Sequence, residues 1–244
     1  MTKKVCWISA GVSSFMAGYL AGDIDEWIYI DIQDQHPDSM RFIKDCEAAI
    51  GKPIKILHSR EYHSVEECVR AFGGFKNPYN SFAPCTNWLK KRVRKEWEEE
   101  NKDNDLIYVW GFDLKEKNRA ERAVESNPQA QHEFPLIDRN LSKEEVHGLF
   151  EKKFSFKRPL MYDLGYPNNN CLGCLKAGMG YWNKIRKDFP DVFKSRSELE
   201  RLVGHSILKD SKGSPIYLDE LDPNRGNMNT EVFPECGIMC YLNS

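Results

Sequence analysis

Short apolar runs alternate with amphipathic stretches through the first half of the chain. Val5-Cys6-Trp7-Ile8, Trp27-Ile28-Tyr29-Ile30-Asp31-Ile32, Pro53-Ile54-Lys55-Ile56-Leu57 and Leu106-Ile107-Tyr108-Val109-Trp110 read as strands. Near-continuous apolar runs of this length suit strands covered on both faces. Phe15 to Ala21 predicts a helix between the first two. Met40, Ile43, Cys46, Ala49 and Ile50 recur at helical spacing, with Asp38 or Ser39 as the start signal and Gly51 as the stop. Ser64-x-x-Glu67 is a capping box that opens a short helix to Phe72, closed by Gly73-Gly74. Asn87 to Glu100 predicts a longer helix, basic first and acidic at its end. That order opposes the helix dipole, so another demand on its basic residues is expected.

Strand–helix alternation of this kind predicts an α/β fold over residues 1–140. Its core would be a Rossmann-like, mostly parallel sheet with helices on both faces. Residues 141–244 read as a small, irregular, helical C-terminal lobe that carries cysteines. Helices are expected at Ser142–Lys152, Tyr181–Phe193 and Ser195–Val203, and a strand at Pro215–Leu218. A Gly- and Asn-rich irregular stretch runs from Tyr162 to Gly180.

Composition narrows the class. The chain has 244 residues, enough for one large or two small domains. Lys plus Arg is 35 and Asp plus Glu is 37, a balance that argues against a general polyanion binder. Hydrophobic residues are 41% and aromatics 12%, which supports a packed core. No apolar run is long enough to span a bilayer, and the Met1-Thr2-Lys3-Lys4 start lacks a signal-peptide core. A cytoplasmic protein with no membrane partner is the expectation; the oligomeric state is left open.

Ser9-x-Gly11-x-x-Ser14 follows the first strand and opens the first helix. Ligands in open α/β sheets sit at the carboxyl ends of strands. Backbone amides of such a turn, with hydroxyls beside them, hold phosphate. The segment is neither a Walker loop nor a dinucleotide Gly-x-Gly-x-x-Gly, and small residues also serve plain strand–helix packing. The basic cluster Lys90, Lys91, Arg92, Arg94 and Lys95 would meet nucleotide phosphate or a nucleic-acid backbone, or form a solvated face balanced by Glu96 and Glu98–Glu100.

Eight cysteines sit at 6, 46, 68, 85, 171, 174, 236 and 240. Cys171-Leu172-Gly173-Cys174 lets two thiolates reach one metal or cluster. Cys85 stands at an expected helix N-terminus, where the dipole favours a thiolate. Cys236 and Cys240 form a further pair, whereas Cys6, Cys46 and Cys68 fall on apolar positions and read as core. A [4Fe-4S] cluster, a structural zinc on four thiolates, and free or disulfide-exchanging thiols are the three readings of this set. Tyr166, Tyr181 and Trp182 flank the Cys-x-x-Cys and are expected to pack around it.

The Ser9–Ser14 turn resembles the pyrophosphate loop of the adenine-nucleotide α-hydrolase superfamily, and more closely the phosphoadenosine phosphosulfate (PAPS) reductase family. Members that cleave ATP carry Ser-Gly-Gly-x-Asp-Ser; here Ala10 and Ser13 replace the first glycine and the aspartate. The segment Asp31 to Asp38, Pro84-Cys85-Thr86 with Leu89-Lys90, and Trp110-Gly111-Phe112-Asp113 with Glu116, Arg119 and Arg122 carry the rest of the likeness. The resemblance implies an adenine nucleotide (ATP, APS or PAPS) held at Ser9, Gly11, Ser13 and Ser14, with Asp31, His36 and Gly111 beside it. Arg119 and Arg122 would neutralise charge on it.

Adenylylsulfate reductases bind [4Fe-4S] through a Cys-Cys pair and a later Cys-x-x-Cys, and end in Glu-Cys-Gly-Leu/Ile-His. Here Pro84 precedes Cys85, and Glu235-Cys236-Gly237-Ile238 is followed by Met239. The resemblance thus implies Cys85, Cys171, Cys174 and Cys240 as metal ligands with Cys236 as nucleophile, or Cys236 as the fourth ligand. Sulfate reduction with a thioredoxin-type reductant, and ATP-dependent sulfur transfer to an acceptor such as a nucleic-acid base, are the two enzymatic readings. A nucleotide- or partner-binding protein with a structural zinc is the non-catalytic one.

Overall fold

The structure is a computed structural model that describes residues 1–76 and 83–231. Its centre is a five-stranded sheet of β1 (Thr2–Ile8), β2 (Glu26–Ile30), β3 (Ile54–Leu57), β4 (Asp105–Val109) and β5 (Gln131–Glu133). The order is β3-β2-β1-β4-β5 and all four pairings are parallel. Cys6 of β1 lies opposite both Trp27 and Val109, so β1 is central, and the strand order reverses between β1 and β4.

Alternation along β1 explains the layering. Val5 and Trp7 enter one hydrophobic cluster while Cys6 and Ile8 enter another, so the two pleat faces feed two cores. On the Cys6 side lie α1 (Val12–Ala21), α2 (Asp38–Ile50), α7 (Pro135–Asp138) and α8 (Lys143–Lys153), through Phe15, Phe42, Leu136 and Phe150. On the Trp7 side lie α3 (Val65–Phe72), α4 (Pro84–Thr86), α5 (Arg92–Glu100) and α6 (Lys117–Ser126). Beyond α9 (Leu160–Asp163) come α10 (Met179–Asp188) and α11 (Pro190–Val203), and a two-stranded antiparallel sheet of β6 (Leu208–Lys209) and β7 (Pro215–Ile216). The C-terminal residues share both cores: Val146 and Phe150 join the first, and Met161, Tyr166 and Trp182 the second.

Three features depart from expectation. The helix sought at Tyr181–Phe193 breaks at Phe189, because Pro190 pushes the residue before it out of the helical region (φ −139°, ψ 66°) and starts a new helix. The short β5 carries only Gln131, His132 and Glu133, an edge strand without an apolar signal. Between α4 and α5, Asn87–Lys91 forms a π-helical turn. One extra residue per turn re-phases a helix, and Lys90, Lys91 and Arg94 are all buried rather than solvated. Arg94 pairs with Glu98 at 3.2 Å, and Glu98 accepts from the Tyr108 hydroxyl at 2.6 Å, so part of the basic-to-acidic order serves the helix's inner face. Among the described residues no helix is long and apolar enough to cross a membrane.

Candidate functional site

The β1–α1 turn closes on itself. Ser14 Oγ accepts from the Ser9 amide at 3.0 Å, donates to the Gly11 carbonyl at 3.0 Å and lies 3.1 Å from Ser9 Oγ. Ala10 takes a left-handed conformation (φ 55°), uncommon for a residue with a Cβ. The N-terminus of α1 begins at Gly11 with no side-chain cap, whereas α3 and α8 use Ser64 and Ser142 to cap theirs. Among the described residues no side-chain cap occupies the first-turn amides of α1, which can therefore donate to an anion.

The chain after β4 comes close from the far side of the sheet reversal. A Cβ on Gly111 would stand 2.5 Å from Ser14 Cα and 2.7 Å from its nitrogen, so only glycine allows the approach. A pocket opens over the turn, lined by Ser9, Gly11, Ser13, Ser14, Gln35, Lys90 and Tyr162, with Asn168, Asn169 and Asn170. Its one cation is Lys90, and no carboxylate lines it among the described residues. Asn169 Nδ2 donates to the Ala10 carbonyl at 2.7 Å and to Ser39 Oγ at 3.0 Å; Lys143 donates to Asn168 Oδ1.

The other expected nucleotide residues stand apart from this lining. Arg119 pairs with Glu116 and lies 4.8 Å from the Phe112 ring centroid, while Arg122 is on the exposed side of α6. Neither arginine is among the residues that line this pocket, and Lys90 is. His36 serves α2: its Nδ1 accepts from the Asp38 amide at 3.1 Å, and its ring packs on Phe189. Asp31 accepts from Tyr29 at 3.4 Å and faces His58 at 3.8 Å. Sequence reasoning singled out neither Gln35 nor Tyr162 nor the asparagines. The only signal for the last was three consecutive side-chain amides at 168–170 in an irregular stretch.

Cys171 and Cys174 are buried on one turn whose Gly173 is left-handed (φ 67°). A Cβ there would meet Val192, Trp182 and Arg196 at 3.0–3.3 Å. Tyr181 Oη donates to the Cys171 carbonyl at 3.1 Å and accepts from the Cys174 amide at 3.3 Å, which ties the two ends of the turn. Burial pushes the Tyr181 phenol far above its usual value, so it stays a neutral hydroxyl. The Leu172 amide donates to the Asp34 carbonyl at 2.7 Å, and the Asp34 carboxylate is held by buried Arg196 and by the Val65 amide at 2.6 Å.

Half-buried Cys85 packs against the hydrophobic cluster that contains Cys171 and Cys174. Two thiols on one turn suit a soft metal or an iron–sulfur cluster. Among the described residues, however, no three His, Cys, Asp or Glu side chains converge as a metal site. Cys236 and Cys240 lie outside the described residues. Cys6, Cys46 and Cys68 are buried core thiols; burial raises all three, and Cys68 reaches about 12.

A parallel sheet ordered 3-2-1-4-5, with a glycine-approached serine turn at its reversal, defines the class of the fold. The chain is similar to the crystal structure of a PAPS reductase from Candida auris, determined as a phosphate complex. The TM-score is 0.52 at 16% identity, covering 70% of this chain and 82% of that one. The chain therefore has a PAPS reductase-like fold. It is also 25% identical, over 181 residues, to an uncharacterized protein of Methanocaldococcus jannaschii. That match covers 72% of this chain but spans only 35% of the relative's length. No family model matches the chain.

Proposed function

We propose that this chain is an adenine-nucleotide-binding enzyme of sulfur chemistry, with adenylyl sulfate-type nucleotides (APS or PAPS) as its substrate class. The observation that carries the reading is the uncapped α1 N-terminus opening into a pocket of hydroxyls, amides and one lysine, at the sheet's reversal point. Such a lining matches phosphate and sulfate oxygens: backbone and hydroxyl donors orient them and Lys90 neutralises them.

Ser9, Ser13 and Ser14 would hold the phosphosulfate, and Gly111 leaves room for the turn that presents them. In sulfate reduction, a cysteine thiolate attacks the sulfur, the bond from sulfur to the bridging oxygen breaks, and AMP or its 3′-phosphate leaves with the electron pair. The enzyme S-sulfocysteine is then attacked by a thioredoxin-type dithiol, which is oxidised to a disulfide as sulfite departs. Cys236 is the proposed nucleophile. Cys171 and Cys174, with Cys85 and Cys240, would supply thiolates to a [4Fe-4S] cluster, zinc being the alternative. A bound cluster would hold or polarise sulfur near the nucleotide.

The test is sulfite release from adenosine 5′-phosphosulfate and from PAPS with a dithiol, beside AMP formation from ATP. Sulfite release that is lost in Cys236→Ser supports the reading. AMP and pyrophosphate from ATP, without sulfite from either sulfate, would replace it with ATP-dependent sulfur transfer. Protein purified without oxygen should show brown thiolate-to-iron absorption and about four irons per chain; one zinc and no colour would remove the cluster.

A further inference from the structure

The stretch from Asn168 to Cys174 touches both the serine turn and the cysteine turn. Asn168 lines the pocket. Asn169, buried, holds the carbonyl of left-handed Ala10 and the hydroxyl of buried Ser39. Two residues later comes Cys171, and its neighbour Leu172 is pinned to Asp34 by a 2.7 Å backbone bond. Cys171 thus sits between two anchors on the α/β layer. Two residues of chain span at most about 7 Å, too little slack to absorb a shift of the Ala10 carbonyl.

We propose that Asn169 is a positioning residue that couples the two turns: an adenine nucleotide on Ser9–Ser14 tightens the Cys171–Cys174 turn, and the state of that turn sets how firmly the nucleotide is held. The coupling rests on the nucleotide reading above. Linkage makes it reciprocal, since a free energy shared by two sites acts on each equally.

Hydrogen exchange of the full chain, with and without saturating adenosine 5′-phosphosulfate, tests it through the amides of 9–15 and of the cysteine turn, 171–175, which lies outside the pocket's lining. In the wild type the nucleotide slows exchange in both, by at least about fivefold in 171–175. In Asn169→Ala it still slows 9–15, and its effect on 171–175 falls below about twofold. A role confined to structure would raise basal exchange and leave the nucleotide-dependent ratio intact, which would overturn the proposal. Protection of 9–15 alone in the wild type overturns it equally. Protection of neither peptide overturns the nucleotide reading, and the coupling with it. If Asn169→Ala does not fold, the wild-type arm stands beside the reverse measurement: replacing Cys171 and Cys174 together by Ser weakens nucleotide binding by at least about fivefold, and unchanged affinity contradicts the coupling.

Discussion

The serine turn at 9–14 and the cysteine turn at 171–174 are both tight and both pass through a left-handed residue, yet they are held in opposite ways. The serine turn is largely self-made: Ser9, Gly11 and Ser14 bond to one another within six residues. The cysteine turn is made from outside, by Tyr181, by Asp34 and by the wall of Trp182, Val192 and Arg196. A polar turn built by near neighbours tolerates an open pocket, whereas an apolar turn of thiols needs distant residues to exclude water. Substitutions should therefore separate the two.

The largest effect is expected at Arg196, which is 4% exposed and paired with Asp34, with Glu66 3.9 Å away. Arg196→Ala leaves the Asp34 carboxylate without its buried guanidinium and should cost about 3–5 kcal/mol in urea unfolding. The cost would fall mainly on the cysteine turn. Gly111→Ala strikes the serine turn instead. Its new Cβ would meet Ser14 backbone at 2.5 Å, which should cost about 1–3 kcal/mol and abolish nucleotide binding in calorimetry. Unchanged stability in either variant would break the contrast.

This difference also decides what could be read in advance. The alternation of Val5-Cys6-Trp7-Ile8 between two cores, the helix over Asp38–Ile50 and the Ser64 cap were legible because each is a local pattern. So was the serine turn, whose Ser9, Gly11 and Ser14 bonds lie within its own six residues, Asn169 on the Ala10 carbonyl being the distant exception. The surroundings of Cys171 and Cys174 were less legible, since Asp34 and Arg196 are 162 positions apart in the chain. Lys90 reached the pocket through a π-helical turn that no periodicity announces, and the Asn168–Asn170 run gave no role until Ala10 was found beneath it.

A pH series sharpens the contrast at intermediate size. Glu200 is fully buried and accepts from the Ile207 and Leu218 amides at 2.6 and 2.5 Å; burial pushes it from 4.5 up to about 7. The folded lobe holds this proton more tightly than the unfolded chain does. Its stabilisation is therefore complete below about pH 4.5 and lost as pH rises through about 7. Asp38 on the α/β side has the opposite sign: Arg41 holds it below 3.8, so its contribution is present above that value and lost in stronger acid. Urea midpoints from pH 4 to 8 should show the Glu200 slope in the wild type and not in Glu200→Gln. A slope that survives the substitution would assign it elsewhere.

The smallest effect on folding is expected from Ser14→Ala, about 0.5–1.5 kcal/mol for a hydroxyl that bonds within its own turn. Its effect on binding decides the central claim. Calorimetric titration of adenosine 5′-phosphosulfate into wild type and Ser14→Ala should show binding that weakens at least about tenfold in the variant, roughly 1.4 kcal/mol. Equal affinity in the two proteins, or no binding by the wild type, would contradict the assignment of the Ser9–Ser14 turn as the nucleotide's anion seat.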